Sequence, residues 1–136
     1  MNFLGKKPAA AAAPRTAGTT RDIGNAGEDR ALAYLQSQGL KLLERNYRTP
    51  GRGGGEIDLV MRARDGTLVF VEVRQRAGRT HGGAGASISA TKRRRVILAA
   101  QHYLLRLASP PPCRFDAVLV EGEQVEWIVA AFDAGG

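Results

Sequence analysis

The sequence predicts an α/β domain in which helices flank a mixed β-sheet, with elements in the order α-β-β-β-α-β-β. Two stretches carry apolar side chains at helical spacing, and several short runs have the composition of strands. The chain has 136 residues, of which 43% are hydrophobic. It is therefore long enough to build one core and too short for two.

The first 22 residues are predicted to form a disordered basic tail, with the folded domain covering residues 23–136. The tail is rich in alanine, proline and glycine, and its first 21 residues contain no acid, a composition that favours disorder. An acid-free start also resembles an organellar transit segment. The Ala9–Ala13 run is too short for a signal-peptide core, and Pro8 and Pro14 close it on both sides.

A first helix is predicted from Asn25 to Gln38, and Gly39 is well placed to end it. Its inner stripe, at positions i, i+3, i+4 and i+7, consists of Glu28, Ala31, Leu32 and Leu35. A carboxylate in the first turn is favoured by the helix dipole, which would give Glu28 a structural role. The alternative is that Glu28 points into a functional site.

Three strands are predicted next, at Leu40–Arg48, Glu56–Arg64 and Thr67–Gln75. A glycine-rich loop, Thr49–Gly55, separates the first two, and Asp65-Gly66 is a strong hairpin signal between the others. A second helix is predicted from Ser89 to Leu107, ended by the Ser109–Pro112 segment, with an inner face made of Val96, Ala99, Ala100, Tyr103, Leu104 and Leu107. Two last strands are predicted at Phe115–Val120 and Val125–Phe132.

The turn at Gly66 decides which side chains of the hairpin lie opposite each other. A strict two-residue loop would place Asp58 opposite Val73, on the face away from Glu72. A three-residue loop with Gly66 in the left-handed conformation and a bulge places Asp58 opposite Glu72. We predict the second register, which brings both acids to one face of adjacent strands.

Glu72 lies within an otherwise apolar run, Leu68–Val73, where a carboxylate costs free energy unless it is paired or holds a cation. Arg74 shares its face, because side chains two apart on a strand point the same way. Asp58 and Glu72 together offer oxygen ligands that suit Mg²⁺ or Mn²⁺, and a divalent ion there would assist phosphodiester hydrolysis. The alternative is an Asp58–Arg74–Glu72 ion-pair network that only satisfies charge in the sheet.

The formal net charge is +7 and the isoelectric point is about 10.3, so a polyanion is the expected partner. Between Arg74 and Arg95 the chain has seven basic residues and no acid. Cations at a helix start oppose the helix dipole, which favours phosphate contact over a merely solvated turn. The predicted nucleic-acid-binding residues are Arg76, Arg79, Lys92, Arg93, Arg94 and Arg95.

Cys113 is the only cysteine, so neither an intrachain disulfide nor a thiolate zinc site is expected, and a reducing cytoplasm is the expected compartment. The apolar runs fall far short of the roughly 20 residues that cross a bilayer. Asp116 is expected either to serve the site or to pair with Arg114. Trp127 is expected in the core or at its rim.

Several motifs in series resemble the bacterial YraN family (UPF0102): Gly24–Asp29, Arg45–Arg48, Gly55–Val60, Val69–Arg74, Lys92 and Arg114–Asp116. That poorly characterised family in turn resembles the restriction-endonuclease-like nucleases, particularly archaeal Holliday junction resolvases. The resemblance implies a mixed β-sheet between helices and a Mg²⁺ or Mn²⁺ site built from Glu28, Asp58 and Glu72. It also implies DNA, and branched or junction DNA in particular, as the substrate, for which a two-fold dimer would be suitable.

Arg74 departs from the family pattern, in which a lysine normally stands two residues after the acid at the position of Glu72. Arginine keeps the charge and can hold a phosphate, but it does not readily release a proton. Lys92 could replace the lysine only if the start of its helix reaches the site. Two hypotheses follow, namely a metal-dependent nuclease in which Asp58, Glu72 and Arg74 are catalytic, and a non-catalytic nucleic-acid-binding module with a decayed site.

Overall fold

A computed structural model of the chain describes residues 20–75 and 88–134, with side chains from Ala26 onward. Two helices and five strands follow one another in the predicted order, which is confirmed. Their bounds are α1 Thr20–Ser37, β1 Lys41–Arg48, β2 Glu56–Arg62, β3 Leu68–Gln75, α2 Ala90–Leu104, β4 Cys113–Glu121 and β5 Gln124–Phe132. The predicted tail lies almost wholly outside the described residues and stays a prediction.

The five strands form one sheet whose spatial order, β1-β2-β3-β4-β5, is the order in the chain. All neighbouring pairs are antiparallel except β3 and β4, which are parallel. A parallel pair needs a crossover connection, and α2 supplies it. The sheet is therefore mixed, as predicted.

Each face of the sheet packs on one helix. The cluster on the α2 face includes Val60, Phe70, Val96 and Tyr103. The cluster on the α1 face includes Ala31, Leu35, Val69 and Val71, with Val73 packed against it. Phe70 and the three valines Val69, Val71 and Val73 thus lie on opposite faces of the sheet, because successive strand residues point to opposite faces.

The helix ends follow local chemistry. Gly39 has a φ of 101°, and the bonds Gly39 N–H to Gln36 O (3.0 Å) and Leu40 N–H to Leu35 O (3.1 Å) close α1 in a Schellman motif. Ser89 caps α2, with its Oγ accepting from the Lys92 backbone N–H. The predicted bounds differ from these, because α1 continues through Gly24 to Thr20 and α2 tightens after Leu104 into i to i−3 bonds.

The β2–β3 hairpin has the predicted register. Val60 lies opposite Phe70 and Arg62 opposite Leu68. Gly66 has a φ of 94°, a conformation that glycine adopts without steric cost. The three-residue turn was therefore correctly predicted, and with it the approach of the two acids. In the part of the chain that is described, no helix is long and apolar enough to cross a membrane.

Candidate active site

The site begins where β2 and β3 separate. Their paired residues run from Arg62↔Leu68 to Leu59↔Val71, while β2 stays paired with β1 as far as Glu56 and β3 with β4 as far as Gln75. Asp58 is the next residue along β2. Its carboxylate Oδ2 accepts a hydrogen bond of 2.8 Å from the Val73 backbone N–H. At this point a side-chain oxygen of β2, and not a backbone oxygen, accepts the hydrogen bond from β3.

Glu72 is 2% exposed and has uneven contacts at its two oxygens. Oε2 lies 3.3 Å from Lys92 Nζ, whereas Oε1 is buried without a hydrogen-bond partner. Burial first, and then the charge of Asp58, raises the pKa of Glu72 to about 8, although Lys92 acts in the opposite direction. Without a bound cation Glu72 is therefore mostly protonated at neutral pH.

Asp58 is 7% exposed, and burial raises its pKa as well. The Val73 N–H bond and the charge of Lys92 oppose this rise, because both favour the ionised form. The charge of Asp58 in turn raises the pKa of Glu72. Two interacting buried acids do not both ionise easily, so the pair retains a proton that a cation would displace.

Lys92 belongs to this site, because the start of α2 does reach β3. The condition under which Lys92 could stand in for the missing lysine is therefore met. The topology could have predicted this position of Lys92, because a helix in a parallel crossover begins near the carboxyl end of the strand that precedes it. Recognising β3 and β4 as a parallel pair would have placed Lys92 beside Glu72.

Arg74 lies on the same face of β3 as Glu72, two positions along. Glu72 is opposite Ala117 and Arg74 opposite Leu119 on β4. Together with Lys92, both line a cavity of about 330 Å³ between the end of β3 and the start of α2. The cavity thus holds one buried acid and two cations, a composition that can accept a phosphodiester and a metal ion.

Glu28 lies on α1, where its main partner is Arg45. Arg45 Nε is 3.5 Å from Glu28 Oε1, yet both atoms are buried and lack a partner in hydrogen-bond geometry. Burial and then the charge of Asp58 raise the pKa of Glu28, whereas the charge of Arg45 lowers it. Sequence reasoning missed the role of Arg45, whose Nη2 also lies 2.5 Å from Asp29 Oδ1.

The three predicted metal ligands are not gathered into one cluster. Among the described residues, no group of three or more His, Cys, Asp or Glu side chains could hold a metal ion. Asp58 and Glu72 lie together, while Glu28 is held by Arg45. The unpartnered oxygen of Glu72 and the raised pKa of both paired acids fit a hard divalent cation with oxygen ligands.

The basic residues at the start of α2 have different environments. Besides Lys92, Arg93 donates to the Ile88 carbonyl at 2.6 Å, and Arg95 pairs with Glu56 at 3.1 Å. Arg94 is exposed and lies 3.4 Å from Thr91 Oγ1. Phosphate contact is thus open to Arg94 and Arg95. Arg76 and Arg79, also predicted to bind nucleic acid, lie outside the described residues.

Asp116 is fully buried and serves the sheet. It accepts hydrogen bonds of 2.9 Å from Arg114 Nε, from Trp127 Nε1 and from the Ala130 backbone N–H. Val71 is its neighbour on β3, so Asp116 faces α1 and not the cavity. The structural alternative is confirmed for Asp116, and Trp127 packs at the rim of the α1-face cluster.

Comparisons with known proteins identify relatives along most of the chain. A family model described as "Uncharacterised protein family UPF0102" matches residues 27–120. A "UPF0102 protein" of Paracidovorax citrulli is 67% identical over 135 residues, covering 99% of this chain and 100% of its own length. One from Acidovorax sp. (strain JS42) is 65% identical, covering 98% and 99%. Another from Cupriavidus taiwanensis is 64% identical, covering 82% of each chain.

Proposed function

We propose that this chain, which belongs to the uncharacterised protein family UPF0102, is a divalent-metal-dependent nuclease that hydrolyses phosphodiester bonds in DNA. One observation carries the proposal. Asp58 and Glu72 are a buried acid pair with Lys92 Nζ 3.3 Å from Glu72 and with one Glu72 oxygen unpartnered. A buried, incompletely satisfied acid pair is costly for folding and is typical of sites that bind a ligand.

Asp58 and Glu72 are the residues that would hold the metal ion, and their oxygens suit Mg²⁺ or Mn²⁺. Such an ion supplies Lewis-acid polarisation of the phosphodiester. The protein contributes a fixed geometry, because the Val73 N–H orients Asp58 and the β3–β4 pairing orients Glu72. Burial excludes water from both acids and strengthens their attraction for a cation.

In the proposed chemistry, Lys92 rather than Arg74 has the role of the lysine in the family pattern. Its ammonium neutralises part of the charge of Glu72 and can donate a proton or a hydrogen bond to an oxygen in the cavity. Arg74 cannot readily release a proton, but its planar fork suits a phosphate. We therefore assign Arg74 to holding the scissile phosphate.

The net charge of +7 and the exposed Arg94 and Arg95 support DNA as the substrate. Branched or junction DNA is the substrate structure that the resemblance implies, and the single cysteine favours the cytoplasm as the compartment. A two-fold dimer would present two such sites to a junction.

The second candidate is a nucleic-acid-binding module without catalysis. The observation that favours it is that Glu28 pairs with Arg45 and that, among the described residues, no group of three or more His, Cys, Asp or Glu could hold a metal ion. Two acids hold a metal ion less tightly than three, so this arrangement predicts weak metal binding. Salt-dependent DNA binding without cleavage would favour this candidate.

The proposal is tested by cleavage of labelled branched, flapped and single-stranded DNA with Mg²⁺ or Mn²⁺. We expect the wild type to cut at least one substrate, and Asp58→Asn and Glu72→Gln to lose about 1,000-fold in rate while remaining folded. Both changes remove a negative charge that would bind the ion.

The matched control is Glu123→Gln, which removes an exposed acid in the β4–β5 turn and should leave the rate unchanged. Cleavage that survives both Asp58→Asn and Glu72→Gln would place the activity elsewhere, and the proposal would be wrong. Folding of each variant is checked by its thermal melting curve.

A further inference from the structure

A second cavity lies on the other side of the start of α2, about 550 Å³ in volume, between residues 48–56 and the first two turns of the helix. We call it the glycine-loop groove. Its walls are the backbone of the loop between β1 and β2 and the side chains of Arg48, Glu56, Thr91 and Arg95. The carboxylate pair and Lys92 are not part of its lining.

The loop is closed at its base and fixed to the helix. Thr49 N–H donates to the Gly55 carbonyl at 3.1 Å, and Gly55 N–H donates to Thr49 Oγ1 at 2.7 Å. A β-carbon added at Gly55 would lie 2.2 Å from the Arg95 carbonyl oxygen and 2.6 Å from the Ala99 nitrogen. Only glycine allows this contact, so the groove is a built feature of the fold.

At the tip of the loop, Gly51 and Gly53 expose backbone on either side of the exposed Arg52. Gly51 and Gly53 have φ values of 91° and 72°, and a β-carbon at either would meet nothing within 4 Å. These glycines are thus needed for backbone conformation and not for packing against protein. A ligand can approach the loop backbone closely here, as glycine-rich loops allow for phosphates.

The side chains of the groove favour an anion. Arg48 and Arg95 are both exposed, and the one acid, Glu56, is paired with Arg95 at 3.1 Å. The pair occupies one nitrogen of a guanidinium that has five N–H donors, so Arg95 retains donors for a second partner. Thr91 adds a hydroxyl one helical turn before Arg95.

The groove and the active-site cavity share the first turns of α2. Ser89 and Lys92 line the active-site cavity, while Thr91 and Arg95 line the groove. Three residues of helix advance by about 4.5 Å, which is comparable to the roughly 3.4 Å between successive phosphates along one strand of a duplex. A single strand bound at the acid pair therefore passes the groove within a nucleotide or two.

We propose that the glycine-loop groove binds the phosphodiester backbone of the DNA strand next to the bond that is cut. This inference rests on the proposed function for the identity of the strand. Arg48, Arg95 and the loop backbone hold a neighbouring phosphate, so the groove positions the strand and takes no part in the chemistry.

The test is binding of labelled single-stranded DNA, measured by fluorescence anisotropy without divalent cation from about 50 to about 200 mM KCl, on wild type and an Arg48→Gln/Arg95→Gln variant. We expect the double variant to bind roughly tenfold more weakly, with a salt slope reduced by about 1.4, since each lost phosphate contact with a single strand removes about 0.7. Arg48→Gln alone should reduce the slope by about half as much.

The matched control is Arg30→Gln/Arg62→Gln, which removes two exposed arginines from α1 and the far end of β2. This control should keep most of the wild-type slope. A control that loses as much as the groove variant, or a groove variant with the wild-type slope, would overturn the inference. This binding assay contains no divalent cation, so no cleavage takes place in it. Its result therefore does not depend on whether the separate nuclease assay shows cleavage.

Discussion

Asp116 and Glu72 occupy adjacent positions of the β3–β4 pair, on opposite faces of the sheet, and both are almost fully buried. Asp116 accepts from three different groups, Arg114, Trp127 and the Ala130 backbone. Glu72 has one cation at Oε2 and no partner at Oε1. The two acids thus share a strand pair and a degree of burial, but they differ in how far the protein satisfies them.

Burial of an acid is therefore a poor guide to function by itself. A satisfied carboxylate such as Asp116 contributes to the fold and has no capacity left for a ligand. An unsatisfied one such as Glu72 costs folding free energy that only a ligand or a proton recovers. Mutations at the two positions should consequently have opposite effects on stability and activity.

The largest stability effect is expected at Asp116. Asp116→Ala leaves Trp127 Nε1 and the Ala130 N–H without this acceptor and Arg114 without its buried counter-ion, which costs about 3–5 kcal/mol. The free energy of unfolding is measured by urea denaturation. Asp116→Asn, which keeps one acceptor oxygen, provides a milder change if the alanine variant does not fold.

Glu72→Gln is the matched comparison at the other acid, where we expect less than about 1 kcal/mol of change near pH 5. A loss at Glu72 as large as that at Asp116 would show that both acids are structural, and the contrast would disappear.

Lys92 should affect activity more than any exposed arginine of its helix. Lys92→Gln removes the cation that favours ionised Glu72, and we expect the cleavage rate to fall about 100-fold. Arg94→Gln makes the same charge change on an exposed residue two positions along and should lower the rate less than about tenfold. Equal losses would assign Lys92 to general phosphate attraction instead of to the site.

A smaller effect is expected in the pH dependence of stability. The pKa of Glu72 is about 8 in the folded chain and near 4.5 in the unfolded chain. Between these pH values the folded state therefore binds one proton more than the unfolded state. Without metal, this group's contribution to stability is full below about pH 4.5 and is lost as pH rises towards 8, by at most about 1.4 kcal/mol per pH unit.

Glu72→Gln should therefore be more stable than the wild type at pH 8 and show a flatter pH profile between pH 5 and about 8. Urea denaturation across this range measures both. Parallel profiles of wild type and variant would show that Glu72 is ionised throughout, as in a fully satisfied ion pair.

The sequence was sufficient to predict features that depend on local chemistry. The Asp65-Gly66 turn set the hairpin register and hence the proximity of Asp58 and Glu72, because a glycine at positive φ specifies a particular loop length. Gly39 was predicted to end α1, which it does through its capping chemistry. The two-residue period of β3 predicted that Arg74 shares a face with Glu72.

Features that depend on distant parts of the chain were not predictable in the same way. The contact of Lys92 with Glu72 depends on the parallel pairing of β3 with β4, and nothing local to α2 encodes it. The Glu28–Arg45 pair joins residues on different elements, and two of the three donors to Asp116, Trp127 and Ala130, come from the next strand. Long side chains such as Arg45 reach several alternative partners, so spacing alone does not select one.

The central claim is that Asp58 and Glu72 bind a divalent cation, and isothermal titration calorimetry with Mn²⁺ at pH 7, in buffers of different ionisation enthalpy, tests it most directly. We expect wild type and Glu123→Gln to bind the ion and to release about one proton per ion, since Glu72 must ionise to bind. Glu72→Gln should lose both the binding and the proton release. Mn²⁺ binding that is unchanged in Glu72→Gln, or no binding by the folded wild type, would contradict the claim.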